Sequence, residues 1–589
     1  MNDKVTYIGT TDYRAKNIKF GIKGDDRTRH MYIIGKTGMG KSTLLENMLI
    51  QDIQNGEGVC FIDPHGSSAE MVLRHIPEHR IKDVVYFAPH DMEFPIALNV
   101  LEQVDENQRH LVANGLMAAF KKIFGEEKFS DRIQYILNNI LLALLENEGQ
   151  TLLGVNRMLS DINYRKFIVS NVKDPSVKAF WNEEFVRAGE KYAQEAAPGI
   201  QNKIGQFISN PLIRNIVGQK KTSFDLRDIM DNKKILICNF SIGRMGEGNV
   251  NLLGNLMITK IYIAAMSRAN LGAQAMMNAS PFYFYVDEFQ NFVNESFAQI
   301  LSQARKYNLG LIVAHQFIEQ MTEEVEAAVF GNVGTMILFR VGAEDAERFE
   351  KEFAPQFTMD DIVNLSARQI YLRLSIDGVG SKPFSATTLP PIAFGSTDYT
   401  KMIVNNSRQV NAKTKAEVEE EVLEFYKPLQ KVDGKLASSS EHNTKTASQS
   451  KVVDSNNSTQ INPDNKNNIS NNHNKSDHNN RVTSHYGING NAVSNKKNNS
   501  LRDALNVAIG LNTDKKISIK AENKSINKRD FQKDIVDIDA KRHAGIAPPI
   551  HSDNNVINNK IQAEIDHTKL EGALSGLDLS IDYKSQESQ

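Results

Sequence analysis

Cysteine is almost missing from this chain, with two residues in 589, Cys60 and Cys238. Both fall in apolar, strand-like runs, Val59-Cys60-Phe61-Ile62 and Ile235-Leu236-Ile237-Cys238. So sparse a pair excludes a disulfide framework and makes no metal motif; buried core thiols in a reducing compartment are expected. A bias of charge is missing too. With 69 Lys+Arg against 71 Asp+Glu, net charge −2 and pI about 6.7, no global basic field announces a nucleic-acid partner, so any such site is local. Long apolar runs are absent as well. Leu252 to Met266 is interrupted by Asn255 and Lys260, and Ile133 to Leu145 is short and contains Asn138 and Asn139, so no transmembrane segment is expected. Met1-Asn2-Asp3-Lys4-Val5 lacks the charged and apolar pattern of a signal peptide. The chain reads as soluble.

Glycine, by contrast, is placed where it has a use. Gly35-Lys36-Thr37-Gly38-Met39-Gly40-Lys41-Ser42 fits Gly-x-x-x-x-Gly-Lys-Ser/Thr. Before it stands the apolar run Met31–Ile34. After it Leu44, Leu45, Met48, Leu49 and Ile53 recur at helical spacing, so the loop joins a strand to a helix. Glycines let backbone N–H groups turn inward on an anion, and the helix start adds unpaired N–H groups and a positive dipole end. Gly35 through Thr43 is therefore the expected nucleotide cradle, for ATP with Mg2+. Lys41 would reach the β- and γ-phosphates, and the Ser42 hydroxyl would take a position on the metal.

Short runs apolar on successive residues recur at Met31–Ile34, Val59–Ile62, Val84–Phe87, Ile235–Cys238, Phe282–Val286, Leu311–Ala314, Thr335–Phe339 and Ile370–Leu374. Strands of that kind are covered on both faces, which predicts an α/β fold with a mainly parallel sheet. Between Val100 and Asp225 the periodicity is helical instead, so 1–100 and 225–400 are expected to form one core and 101–224 an all-helical insertion. One helix is expected within 401–430, over Asn405 to Tyr426. From 432 onward the aromatics are Tyr486, Phe531 and Tyr583, and 431–589 is rich in Asn, Ser and Lys, so a disordered tail is expected. Its apolar islands, Leu501, Leu505 and Ile509, then Leu574, Leu577 and Leu579, fit protein-docking motifs or chance clusters.

Phe282-Tyr283-Phe284-Tyr285-Val286 ends in Asp287-Glu288. Ligands of an open parallel sheet lie beyond the carboxyl ends of its strands, so these acids should emerge beside the phosphate loop. Asp287 would hold Mg2+ through water and Glu288 would polarise the attacking water. Leu311–Ala314 leads into His315-Gln316, making Gln316 a candidate γ-phosphate sensor and His315 a structural histidine. Arg305 admits two readings: a cation at a helix C-terminus, or an arginine finger for a neighbour's γ-phosphate. Asp63-Pro64-His65-Gly66 would turn at the same edge, which makes Asp63 and His65 candidates for the polar network around the nucleotide. Ala197 to Thr222 carries Lys203, Arg214, Lys220 and Lys221 without an acid, which suits a DNA backbone or a solvated helical face.

Gly35–Ser42, Asp63-Pro64-His65-Gly66, Val286-Asp287-Glu288-Phe289-Gln290-Asn291 and Ala304-Arg305-Lys306 through His315-Gln316, in this order around a helical insertion, resemble the HerA/FtsK superfamily of DNA-pumping ATPases. Within it the chain looks most like the TraD/TraG-type coupling proteins of conjugation and type IV secretion. Asn202–Phe207, Arg214–Gln219 and Arg340–Ala346 belong to the same resemblance, which covers about residues 5 to 400. It implies a RecA-like P-loop NTPase core, a homohexameric ring, ATP hydrolysis at subunit interfaces and DNA passing through the centre. Lys41, Ser42, Asp287, Glu288, Arg305 as finger and Gln316 as sensor carry over to matching positions. Ser67 stands where HerA-like members often have an acid, and none of the membrane helices usual in coupling proteins is expected here. The expected setting is cytoplasmic or peripheral to the inner face of the membrane. Two rivals remain: a secretion ATPase that moves protein, and a nucleotide-switched scaffold with little hydrolysis.

Overall fold

The structure, a computed structural model, describes residues 4–12, 16–102, 105–292, 295–428, 430–432 and 435–437. In chain order the strands are β1 Val5–Thr11, β2 Lys19–Lys23, β3 Met31–Ile34, β4 Gly58–Asp63, β5 Val84–Phe87, β6 Ile235–Asn239, β7 Phe282–Val286, β8 Leu309–His315, β9 Thr335–Leu338 and β10 Gln369–Arg373. A small hairpin of β11 Ser375–Ile376 and β12 Val379–Gly380 precedes β13 Phe384–Thr388. Eleven of these form one sheet in the order β2-β1-β13-β10-β9-β3-β8-β7-β4-β6-β5. From β9 to β5 every pairing is parallel. The flank β2-β1-β13-β10 is antiparallel and joins β9 antiparallel. Ile370–Leu374, expected among parallel strands, therefore runs the other way. An apolar run reports burial, and burial does not encode direction.

Successive residues on the parallel strands enter opposite cores, as the two-residue repeat requires. Met31 and Ile33 of β3 pack with Leu44, Leu45, Met48 and Leu49 of the helix Lys41–Gln54, while Tyr32 and Ile34 face the other side. That side is covered by the helix Glu247–Met266 and by the insertion. By length and composition Glu247–Asn270 is apolar enough to cross a membrane, but 67% of its most apolar window is buried in this core. A helix apolar all round is expected where sheet and insertion enclose it.

The insertion leaves after β5 and returns before β6, its parallel neighbour. Its helices include Arg109–Phe124, Asp131–Leu145, Phe185–Ser209 and Pro211–Val217, and no strand lies among its described residues. Gly115 permits the close approach of Arg109–Phe124 to Glu247–Met266, since a Cβ there would stand 2.6 Å from Thr259 Cγ2. The single helix expected over 405–426 is instead two, Thr400–Asn411 and Lys415–Tyr426. Ala412 leaves helical geometry to bridge to Ile96, and Thr414 with Glu417 forms a capping box that starts the second helix. Gln430–Val432 and Lys435–Ala437 pair as short antiparallel strands. The expected disorder beyond them, and the tail's apolar islands, lie outside the described residues.

His30, with φ 64°, turns the chain into β3 and is 1% exposed. Its Nδ1 accepts from the Leu311 N–H at 3.0 Å, and its Nε2 donates to the Leu301 carbonyl at 3.1 Å. One acceptor and one donor satisfy the neutral ring, and burial, reinforced by the charge of Arg305, pushes its pKa down to about 4. As pH falls through the ordinary value of 6.5, unfolded His30 takes up a proton and folded His30 does not, so stability is lost. Between pH 7 and pH 5 this histidine should cost about 2 kcal/mol. Denaturation midpoints at both pH values should show a smaller acid loss in His30→Asn, Asn being tolerant of the left-handed backbone. An equal loss in the variant would remove His30 as the cause.

Candidate active site

β3 ends at Ile34, and the loop 35–40 carries the chain into the helix Lys41–Gln54. Gly38 and Gly40 have φ of 79° and 115°, a region that L side chains avoid. Gly35 is held for space instead: a Cβ there would stand 2.4 Å from Phe339 Cβ. The loop is anchored at both neighbours of β3, since Gly35 N–H donates to the His315 carbonyl and Lys36 N–H to the Arg340 carbonyl. Lys41 is 5% exposed and folded back, its Nζ donating to the Gly35 carbonyl at 2.6 Å and the Lys36 carbonyl at 3.3 Å. Burial lowers its pKa, against the pull of Glu288 and Asp287.

The two acids stand where the parallel sheet was expected to put them. Ser42 Oγ donates to Asp287 Oδ2 at 3.1 Å, so phosphate loop and second acidic strand meet directly. Asp287 is 4% exposed, and its pKa is pushed up to about 6 by burial and then by the charges of Glu288 and Asp63. A hydroxyl and a buried, electron-rich carboxylate side by side fit a magnesium ion that takes its other ligands from phosphate and water. Among the described residues no cluster of His, Cys, Asp and Glu offers an all-protein metal cage.

Glu288 adopts the left-handed backbone, φ 45° and ψ 50°. For a residue with a Cβ that costs about 1–3 kcal/mol. Two amides offset it: Gln316 Nε2 donates to Glu288 Oε1 at 2.7 Å, and Gln290 Nε2 to Oε2 at 2.8 Å. Each such bond to a charged group contributes about 1.5–3 kcal/mol. Thr37 Oγ1 donates to Gln316 Oε1 at 3.1 Å, so a continuous relay runs from phosphate loop through Gln316 to Glu288. Lys41, Ser42, Thr37, Asp287, Glu288 and Gln316 are thus brought together.

Arg305 is not among them. It is exposed and precedes β8, whereas Gln316 follows that strand, and seven strand residues span about 23 Å. It lies instead near His30 and Arg29, at the opposite edge of the sheet. Its own nucleotide site is out of reach. The four insertion cations differ in their surroundings. Lys203 Nζ sits 3.8 Å from the Phe129 ring centroid and donates to the Lys128 carbonyl, while Arg214 is half-buried beside Tyr426 of the helix Lys415–Tyr426. Lys220 and Lys221 are exposed.

Asp63 works as a cap, its carboxylate accepting from His65 N–H and Ala69 N–H, both at 2.8 Å, while the His65 side chain is exposed. His315 is fully buried, its Nδ1 3.0 Å from the Tyr32 hydroxyl, and its pKa is pushed down to about 3 by burial and then by Lys41. Sequence reasoning missed two side chains. Gln290, two residues beyond Glu288, could have been found from that spacing on a tight turn. Arg368 carries no local signal: its N–H donates to the Met39 carbonyl at 2.9 Å, and its Cγ lies 3.7 Å from where a Gly40 Cβ would stand.

A family model for the type IV secretion-system coupling protein DNA-binding domain matches residues 18–367, more than half of the 589-residue chain. The type 4 coupling protein DotL of Legionella pneumophila is 21% identical over 397 residues, which cover 57% of this chain and 50% of DotL. The chain thus spans about half the length of that curated relative. Among solved structures, the bacterial conjugative coupling protein TrwBdeltaN70 is 14% identical, with TM-score 0.45 over 64% of this chain and 88% of its own. VirB4 of Thermoanaerobacter pseudethanolicus is 16% identical, with TM-score 0.43 over 68% of this chain and 99% of its own.

Proposed function

The chain belongs to the family of type IV secretion-system coupling protein DNA-binding domains, and from that premise we propose that it is an ATP-hydrolysing motor that moves DNA. The observation that carries hydrolysis, rather than binding alone, is Glu288, whose carboxylate is held by Gln290 and Gln316 beside the phosphate loop. A nucleotide-switched scaffold has no use for a base so placed.

Gly35 to Thr43 would cradle the triphosphate of ATP, with Lys41 turning from the loop carbonyls to the phosphate oxygens. Ser42 and Asp287 would hold Mg2+, which supplies charge neutralisation on the phosphates when bound. Glu288 accepts the proton of the attacking water, and Gln316, released by Thr37, senses the γ-phosphate. Arg368 stands close enough to the loop to add a charge in cis. Arg305, remote from its own site, would complete the site of the next subunit in a homohexamer, where its guanidinium meets charge developing on the γ-phosphate. Lys220 and Lys221, exposed cations of the insertion, would face a DNA backbone. A position at the inner face of the membrane belongs to the same reading.

Turnover measured with single-stranded DNA, duplex DNA and no DNA tests the motor. DNA of at least one kind should raise ATP hydrolysis several-fold, and the rise should fade with salt as phosphate contacts are screened. Turnover indifferent to both kinds would overturn the DNA reading and favour a protein cargo.

A further inference from the structure

Between the insertion and the core lies a cleft of about 440 Å³, walled by the helices Arg109–Phe124, Asp131–Leu145, Glu247–Met266 and Glu295–Gln303. That volume is in the range of small-molecule sites and far too small for a duplex. Its lining contains no acid. Three other clefts of about 520, 560 and 630 Å³ each carry carboxylates, from Glu102 and Asp225, from Glu183 and Glu184, and from Glu419. Here Asn114, Asn138 and Gln299 face the space with carboxamides that have no hydrogen bond to any described residue. Lys121 stands among them, held only loosely by Glu126 at 3.7 Å, and Tyr135, 46% exposed, forms the rim with its hydroxyl on Glu184.

Carboxamides present a donor and an acceptor together, the pattern a base edge answers, while a tyrosine ring offers a stacking face and a lysine a phosphate contact. The far wall is tied to the hydrolytic site. Gln299 and Ile300 belong to the helix Glu295–Gln303, whose Phe297 stacks on Phe289, the neighbour of Glu288, with ring centroids 5.6 Å apart, and Tyr262 binds this helix to Glu247–Met266 by donating to Gln303 Oε1 at 3.2 Å.

We propose that this cleft takes one unstacked base, with its sugar and phosphate, from a single-stranded nucleic acid, and that its occupancy is passed along Glu295–Gln303 to Glu288. The inference rests on the DNA-motor reading and makes it more specific, because it commits to single strands and to a place. Lys203 and Arg214 have no part in it.

The full chain, loaded with ATP and Mg2+, should be assayed for binding of a labelled single-stranded oligonucleotide, binding of its duplex, and turnover with each. Tyr135→Ala should weaken single-strand binding roughly 5- to 150-fold, as loss of one stacked base does. Asn114→Leu with Asn138→Leu should weaken it as well, and in both proteins the stimulation of turnover by the oligonucleotide should fall while basal turnover stays within about twofold of the parent. Tyr135→Phe keeps the ring and should bind and respond as the parent does, which separates stacking from misfolding. If the parent responds to DNA and all variants bind and respond equally well, the cleft is overturned and the motor stands. If the parent ignores every DNA, the motor fails and the cleft with it. Variants that lose a response to unfolded polypeptide but keep their response to DNA would assign the cleft to protein cargo and overturn the proposal.

Discussion

Glu288→Gln should bind ATP as tightly as the parent and hydrolyse it roughly 10²–10⁴-fold more slowly, the usual contribution of a positioned general base. The carboxylate lies at the end of a relay from Thr37 through Gln316, and Gln290 holds its other oxygen. The substitution keeps volume and removes the proton acceptor. One of the two amide donors will then face the introduced amide group, but Gln290 can turn over, because its Oε1 is buried without a partner and would become an acceptor. The site should therefore stay assembled. Nucleotide binding followed by titration, and single-turnover hydrolysis, separate the two effects; equal turnover would take Glu288 out of the mechanism, and lost binding would make it a structural anion.

The same variant reports on Arg305. Rings mixed from Glu288→Gln and Arg305→Ala subunits contain interfaces that pair an intact Glu288 with an intact Arg305. Some hydrolysis should return at those interfaces if the arginine acts on a neighbour. The placement of Arg305 across the sheet from its own phosphate loop leaves no route for action in cis, so no recovery in mixed rings would leave it a helix-terminal cation.

Asp52→Ala should be among the most destabilising single changes in the core. Arg27, 1% exposed, donates to both oxygens of Asp52 at 2.5 and 2.7 Å, lies 3.7 Å above the Tyr283 ring centroid, and shares Asp52 with Thr6 and Tyr285. Removing the carboxylate leaves a guanidinium buried without its counter-ion, at a cost of about 3–5 kcal/mol. That is a large part of the roughly 5–15 kcal/mol by which folded proteins are stable. Combining Asp52→Leu with Arg27→Met should recover part of the loss, since the apolar pair removes the unpaired charge while the buried Tyr285 and Thr6 hydroxyls still lose the partner they shared. Denaturation midpoints of the singles and the double measure the coupling; if the double is no better than Asp52→Ala, packing rather than charge governs the site. Because Asp52 lies in the last turn of the phosphate-loop helix and Tyr285 stands two residues before Asp287, the single variant should also weaken nucleotide binding.

Much of the site was legible in residues alone. Gly35–Ser42 requires a strand before and a helix after, and backbone conformation at Gly38 and Gly40 follows from the lack of a Cβ. Asp287-Glu288 and Gln316 follow apolar runs, and every parallel strand presents its carboxyl end at one edge, so their meeting with the loop followed from local pattern plus one rule of sheets. Helix positions were read less well. The break at Ala412 depends on a bridge to Ile96, a contact with a residue far away in sequence, and no local window contains it.

What the sequence determined by itself is the chemistry that neighbours in the chain can specify: the phosphate cradle, the acids, the helical insertion and the lack of a global charge. Only the tertiary structure decided the direction of β10, the clamp of Gln290 and Gln316 on Glu288, the approach of Arg368, the capture of Lys203 by Phe129, and the removal of Arg305 to the opposite edge. The reason is common to all of them. Periodicity and motif spacing record which residues are buried and which are adjacent along the chain, whereas strand order and burial of one element on another set which distant side chains meet.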